Sequence, residues 1–455
     1  MHARRIRPDS RPTDRRRLFA AALSAIVPGL GQAFNRRRRP ATVFGIPSLI
    51  LIAGTWLLLQ IFSPTMLVAN AIIPSTLRVL LILNGVVLVW RLLAVFEAFV
   101  DRRYPGRPGR LGTVGLVLVL IFVAIPHAVA FGIGSSAFGT FERVFGGTAV
   151  GGPDDDPGST SGPTPQSGER INVLLMGIDS GPNRTQALTD SLIVVSVDPV
   201  GRTVSMLSIP RDLVDVPLGN GNTFAPKINS LLSWANRHED EFPEGGTRAL
   251  EDAVGALLGL PIHYYAKVDL GGFVRMIDAV GGVDLTVSRP LSDPRYGGFG
   301  VGPGWSIDPG RHHLDGANAL AYARIRRSQG ESDFTRAARQ QQVLVALRDR
   351  AVGGGNLLFN MPRLLDAVGD AVRTDIPPAL LPELAALAEE IDSERTVQAV
   401  LTSPMVKSGG RDHPYGSVVI PVPSRIAELV ALVFPEPGTQ PKPWPTTDPA
   451  AAAAP

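Results

Sequence analysis

Three long apolar runs fall within the first 135 positions, and nothing else in the chain restricts its fold so strongly. Ala41–Phe62 is a 22-residue uncharged run rich in Leu and Ile, long enough as a helix to cross a hydrocarbon core about 30 Å thick. Leu111–Gly134 is a second, with His127 as its one titratable group. Ser75–Phe99 lies between them and carries Arg78 at one end and Arg91 and Glu97 towards the other. Long charged side chains near a helix end reach the interface, so this run also reads as a span. A cleaved export signal in place of the first run is excluded, because two further spans follow.

Charge sets the orientation. Residues 1–110 contain 17 Arg, no Lys and four acids, a net charge of +13; the whole chain is +3, so the remainder carries −10. Seven of those Arg precede Leu18, four stand in a row at Arg36–Arg39, and four more lie in Asp101–Arg110. The loop Ser63–Pro74 has no charge. Basic loops stay in the cytoplasm, so the chain is expected to run in, out, in, out, with everything after Gly134 outside. Basic blocks beside apolar spans set membrane orientation, and nucleic-acid binding is not expected. Leu18–Phe34, which includes Pro28-Gly29-Leu30-Gly31, is apolar but short and flanked by Arg, and reads as interfacial or re-entrant.

The expected organisation is a basic cytoplasmic segment (1–40), three transmembrane helices (41–135), a linker (136–169), an exported domain (170–434) and a disordered Pro/Ala-rich tail (435–455). Gly146–Gly168 is dense in Gly, Pro, Ser and Thr and cannot bury a core. The chain has no cysteine, which excludes disulfides, thiolate metal sites and a Cys nucleophile.

Within the exported part, strand and helix signals interleave. Ile171–Met176 reads as a buried strand, and Ser191–Val197 and Thr203–Ser208 as a hairpin turned by Asp198-Pro199-Val200-Gly201. Asn229–Ala235 and Arg248–Leu258 read as helices, followed by strand Ile262–Val268, helix Phe273–Val280 and strand Val283–Val287. Ala317–Ala323 and Phe334–Ala351 are again helical. The expected fold class is α/β: an α+β sandwich with a mixed central sheet flanked by helices, behind the transmembrane region. Gly297–Gly304 lacks dinucleotide-loop spacing and opens no helix, so it reads as a mobile loop and not a phosphate cradle.

A nucleophile elbow, a Walker A loop and metalloprotease His spacing are all missing; His312 and His313 are adjacent and cannot share a helix face. What remains is a set of Arg and Asp residues at the ends of elements. On a helix starting near Ser332, Asp333, Arg336 and Gln340 share the stripe that continues as Val343, Leu344 and Leu347. Those polar groups either open onto a cleft or belong to a solvated first turn in which Asp333 favours the helix dipole. Arg324 and Arg326 point to one side if their segment is extended. Arg211 ends the strand Thr203–Ser208. Several converging Arg suit a pyrophosphate, because each guanidinium is a planar fork of donors; surface salt bridges are the alternative. Asp179 and Asp190 lie at facing strand ends, where they either hold Mg²⁺ together with substrate phosphate or form an Asx turn and an ordinary strand start.

Taken in order, these segments resemble the LytR-CpsA-Psr family of cell-wall glycopolymer ligases. The resemblance rests on Asn172-Val-Leu-Leu-Met-Gly-Ile-Asp179, Thr189-Asp190-Ser191, Ser208-Ile-Pro-Arg-Asp212, Lys227-Ile-Asn229, Val280-Gly-Gly-Val-Asp284 and Leu314-Asp315-Gly316. It continues through Ala319-Leu-Ala-Tyr-Ala-Arg-Ile-Arg326, Asp333-Phe-Thr-Arg336 and Arg339-Gln-Gln341, with Thr374-Asp375 also similar. It covers about 170–351, and more loosely the helices to Phe434. It implies a phosphotransferase that moves a glycopolymer, with one phosphate, from a polyprenyl pyrophosphate carrier onto peptidoglycan, with Mg²⁺ as cofactor. Carried over by motif, Asp179 and Asp190 hold the metal; Arg211, Arg324, Arg326 and Arg336 clamp the pyrophosphate with Gln340 beside them. Asp333 or Asp212 orients these Arg or takes the proton of the attacking hydroxyl. The family usually has Arg two residues before the second Asp, where this chain has Leu188; either Arg184 substitutes or one Arg fewer is used. A pyrophosphatase, or a non-catalytic binding or scaffold protein for lipid-linked polymer, are the alternatives.

Overall fold

The computed structural model describes residues 14–71, 73–100, 107–145, 162–179, 188–353, 367, 369, 372–391, 395–410 and 412–445. They form two compact units, Met1–Phe138 and Gly139–Pro455.

The first unit is helical: α1 (Asp14–Ile26), α2 (Leu30–Phe34), α3 (Arg38–Ile61), α4 (Pro64–Ala71), α5 (Pro74–Phe99) and α6, which starts at Arg110. Three of these, α3, α5 and α6, are long and apolar enough to cross a membrane. Most of their apolar surface lies open, as lipid-facing surface should. The short apolar segment Leu18–Phe34 folds back on itself. Gly29 has φ of +104° and lies so close to α3 that a Cβ would come within 2.7 Å of Gly45, while a Cβ on Gly31 would sit 2.0 Å from the Ala20 carbonyl. Ala21 and Ala25 of α1 then bury against Val95 and Phe99 of α5 and Val123 of α6. Asp14 accepts from the backbone N–H groups of Gly109 and Gly112, which caps α6.

In the second unit six strands form a mixed sheet: β1 (Ile171–Asp179), β2 (Leu188–Asp198), β3 (Thr203–Ile209), β6 (Tyr264–Asp269), β11 (Val372–Thr374) and β12 (Thr396–Val400), while β4 (Val216–Pro217) and β5 (Thr223–Phe224) pair apart from it. The order across the sheet is β11-β6-β1-β2-β3-β12. β1 pairs antiparallel with β2 and β2 with β3, while β1–β6 and β3–β12 are parallel. Alternation along the strands separates two faces. Leu174, Met176, Leu192, Val194, Leu207 and Ile209 pack against α7 (Leu231–Ala235), α8 (Gly245–Leu258) and the terminal helix Pro423–Val433. On the other face, Gln341 of α11 (Asp333–Gly353) donates to Ser208 and to the Ala399 carbonyl, which ties that helix to β3 and β12.

A second core joins α9 (Leu270–Ala279), α10 (Gly316–Arg324) and α11 to two small hairpins. These are β7 (Val283–Val287) with β10 (Gly310–Leu314), and β8 (Leu291–Asp293) with β9 (Trp305–Ile307). The mixed sheet between helices is the fold class expected from sequence, although β11 and β12, its two edges, fall where no strand was expected. Part of the helix expected at Asn229–Ala235 is a 3₁₀ turn, Ile228–Ser230. The Pro/Ala-rich stretch is not loose at its start: Gly438 donates to Asp198 and Lys442 to the Leu432 carbonyl, and Trp444 packs on the core.

Candidate active site

The topology brings chemistry to one end of the sheet. β1 ends at Asp179, β2 enters beside it, and β3 leaves there into Pro210-Arg211-Asp212. In the β1–β2 ladder Gly177 pairs with Ser191 and Ile178 with Thr189, so Asp190 is the extra residue of a β-bulge. A bulge re-aims the side chain it releases, and here Asp190 meets Arg211 at 2.6 Å. Pro210 cannot donate to the ladder, and pairing of β3 with β2 stops at Ile209.

The other half comes from α10 and α11. α10 ends at Arg324, whose guanidinium donates to Asp179 over 3.1 Å. Ile325 then turns extended (φ −55°, ψ 137°) and is fully buried, which sets Arg326 beyond it. α11 opens with a capping box: the Ser332 hydroxyl accepts from Thr335 N–H, and Ser332 N–H donates back to Thr335. Its first residue, Asp333, accepts from Arg336 at 2.6 Å and lies 3.8 Å from Arg326. Asp333 also reaches the Asp212 side chain. Asp212 in turn accepts from the Lys227 ammonium at 2.7 Å and stands 3.8 Å from Arg211.

One cluster therefore contains Arg211, Arg324, Arg326, Arg336 and Lys227 against Asp179, Asp190, Asp212 and Asp333, with one positive charge in excess. Burial pushes the Arg336 guanidinium down to about 10, helped by its neighbour Arg326 and opposed by Asp333. Burial and Arg211 likewise lower Arg326. Arg211 goes the other way: burial weakens its charge, but Asp190, Asp212 and Asp333 outweigh that and raise it. For Asp333, burial favours the neutral acid, yet Arg336, Arg326 and Arg211 prevail and hold it below the ordinary carboxylate range. Crowded guanidinium groups that depress one another are a site short of negative charge, and an added anion relieves the repulsion.

Of the residues singled out in the sequence, eight meet in this cluster. Gln340 stands beside it, its amide 3.5 Å from the Ala323 carbonyl. Arg184 lies outside the described residues; Leu188 faces Asp179 across the strand pair. The stripe along α11 does continue as core, with Val343 fully buried.

Two residues at this cluster were not singled out in the sequence. Lys227 had only its place in a motif. Tyr296, on the Gly-rich loop, lies beside Arg324; burial raises its phenol and Arg324 opposes this. Arg339, which had only its place in a motif, is buried and structural: it donates to the Ile325 carbonyl and pairs with Glu331, which also pairs with Arg289. These bonds pin both ends of the loop that presents Arg326.

Residues 153–412 match the model of the LytR_cpsA_psr family. The polyisoprenyl-teichoic acid–peptidoglycan teichoic acid transferase TagU of Halalkalibacterium halodurans is 32% identical over 207 residues, covering 45% of this chain and 61% of that protein. The corresponding transferase TagV of Bacillus subtilis is 34% identical over 207 residues, covering 45% of this chain and 50% of that protein. The chain thus spans less than two thirds of the length of either relative. The crystal structure of B. subtilis TagV is similar over 58% of this chain and 96% of that one, at 28% identity and a TM-score of 0.46.

Proposed function

The chain belongs to the LytR_cpsA_psr family, and from that premise we propose that it is a membrane-anchored phosphotransferase, moving a glycopolymer from a polyprenyl pyrophosphate carrier onto peptidoglycan. The observation that carries this reading is the convergence of four guanidinium groups and one ammonium on a single end of the sheet. The transferase names of TagU and TagV support it.

A sugar hydroxyl of the acceptor attacks the phosphorus that carries the glycopolymer. A new P–O bond forms, the bond to the bridging oxygen breaks, and the carrier leaves as its monophosphate. The hydroxyl proton goes to a carboxylate of the cluster. Asp333, held ionised against its burial by Arg336 and Arg326, orients those two Arg, which leaves Asp212 to take the proton. Little of this needs a covalent nucleophile, because positioning and charge neutralisation carry most phosphoryl transfer. The Arg–Asp pairs keep the guanidinium groups apart and aimed until the diphosphate displaces the carboxylates.

Mg²⁺ is the proposed cofactor. Among the described residues no three His, Asp or Glu side chains form a self-sufficient metal cage. Two neighbouring carboxylates, Asp179 and Asp190, fit an ion that completes its shell with water and substrate phosphate oxygens. Bound there, it would supply further positive charge to the pyrophosphate. The chain is further proposed to be a multi-pass membrane protein with its C-terminal domain outside the cytoplasm, acting on lipid-linked polymer and peptidoglycan and not on nucleic acid.

The test supplies lipid-linked donor with and without a muramic acid acceptor. Polymer joined to acceptor only when both are present supports transfer; equal release of free polymer in both arms means a pyrophosphatase, and retention of donor without turnover means a scaffold.

A further inference from the structure

A cavity of about 720 Å³ lies along α8, and none of the residues lining it belongs to the Arg–Asp cluster. Its volume is in the range of about 300–1,000 Å³ typical of small-ligand sites. Leu218, Phe242 and Leu260 give it apolar walls, and Arg248, Glu251 and Asp252 of α8 bring charge to it.

Two of those groups face each other as a loose ion pair whose facing atoms lack hydrogen bonds. The Glu251 side chain is fully buried, and neither of its carboxylate oxygens has a hydrogen-bond partner. Nη1 of Arg248 is also buried without a partner. It stands 3.8 Å from Glu251 Oε2, too far for a hydrogen bond. The rest of Arg248 is spent elsewhere, with Nη2 on Asp252 at 2.6 Å and Nε facing Glu244 at 3.8 Å. From the interior Lys267, whose ammonium donates to Thr247, eases the Glu251 charge without a hydrogen bond to it, while Asp375, which accepts from Tyr265 N–H, opposes that charge. Buried polar groups are nearly always paired. Here an orphaned acceptor and an orphaned donor of opposite charge lie side by side at a cavity.

A simple cation would face Arg248, and a simple anion would face Glu251. A group carrying both signs about 3–4 Å apart suits both. We propose that this cavity binds the zwitterionic head of an α-amino acid, free or carried on a larger molecule, with its ammonium on Glu251 and its carboxylate on Arg248. The site is independent of the transfer reaction. Burial and then Asp375 push the Glu251 carboxyl up to about 8, against Arg248 and Lys267, with Asp252 adding to the rise. At neutral pH the empty site is therefore mostly protonated, and ligand binding releases a proton.

The experiment is calorimetric titration of the full-length protein in detergent at neutral pH, in two buffers of different ionisation enthalpy. L-Alanine represents the free amino acid and Nε-acetyl-L-lysine the carried one; N-acetylalanine and alaninamide each block one charge. The expected result is binding of at least one zwitterion with proton release, and at least tenfold weaker binding of both blocked forms. Arg248→Met and Glu251→Gln should each weaken the zwitterion at least tenfold, with thermal midpoints reporting that both variants are folded. Absence of binding by either zwitterion up to about 10 mM, blocked forms that bind equally well, or a folded Glu251→Gln protein with parental affinity would each overturn the proposal.

Discussion

Arg211 donates to Asp190 over 2.6 Å, and both residues stand where the sheet's regular ladder has given way, one as the bulge of β2 and the other just beyond Pro210. The β2–β3 register that pairs Leu192 with Ile209 sets Asp190 opposite Arg211 two residues further on, so the ion pair continues that register past the last ladder pair. The carboxylate holds Arg211 and, in the proposed reaction, would also offer an oxygen to Mg²⁺. Asp190→Asn keeps the shape but removes the charge. Transfer should fall by at least about a hundredfold, with a raised Mg²⁺ requirement and a thermal midpoint close to the parent's. Parental activity at limiting Mg²⁺ would remove Asp190 from the metal site.

Arg324→Ala with Arg326→Ala removes two of the four guanidinium groups proposed to face the diphosphate. Arg326 is exposed and Arg324 half-buried, so the fold should survive. Loss of transfer by about 10³-fold or more is expected from two electrostatic contacts of this kind. An assay on lipid-linked donor checks it, and retained turnover in the double variant would end the site assignment.

Arg339 is the contrasting case. Its partner Glu331 is buried between it and Arg289. Removing one member of a buried ion pair strands the other charge, at a cost of about 3–5 kcal/mol. Arg339→Met should therefore lower the thermal midpoint sharply, whereas Arg326→Ala should leave it almost unmoved. Equal midpoints for the two variants would mean that Arg339 is not the strut described above.

How far the sequence disclosed this site depended on the range of the interaction. Asp333 and Arg336 are one turn apart, and their shared stripe is visible in the spacing alone. Strand ends placed Asp179 and Arg211 at sheet margins. Other features were illegible because they depend on pairing register. Nothing in Leu188-Thr189-Asp190-Ser191 announces that Asp190 is the bulged residue, and although helical spacing singles out Gln340 from Arg339-Gln340-Gln341, nothing there says what its two neighbours hold. Arg339 and Gln341 are spent on Ile325, Glu331, Ser208 and Ala399, contacts between distant parts of the chain. β12 was missed for the same reason: Thr396–Val400 is a strand because β3 offers it an edge. The resemblance to a family ordered the motifs, and the tertiary contacts sorted ligand-facing from structural members within each motif.

Glu251 gives a pH signature that can be checked without any ligand. Burial first, then Asp375, push its carboxyl from an ordinary 4.5 up to about 8. The native state therefore keeps a proton that the unfolded chain releases. That stability is fully present below the unfolded value and is lost as pH rises towards about 8. Gln mimics the protonated acid at every pH. Glu251→Gln should match the parent near pH 5 and exceed it increasingly up to pH 8, by no more than about 5 kcal/mol. Thermal midpoints of the two proteins across that interval decide it; parallel curves would mean that Glu251 is ionised in the native state.

Membrane orientation follows from charge that the domain itself does not contain. The Arg blocks lie before α3 and between α5 and α6, and Ser63–Pro74, between α3 and α5, has none. If the three helices long and apolar enough to cross a membrane all do so, the two basic segments fall on one side, and the uncharged loop falls on the other side together with everything after α6. Arg in short loops resists translocation, so the basic side is expected to be the cytoplasm. Only this arrangement delivers the Arg–Asp cluster to the compartment where peptidoglycan is assembled. A reporter that works only outside should be active when fused after Gly168 and silent when fused within Arg102–Arg110, and a cytoplasmic reporter should give the opposite pair. If the fusion after Gly168 reports the cytoplasm, the domain cannot meet its acceptor, and the transfer reaction proposed for it fails with the topology.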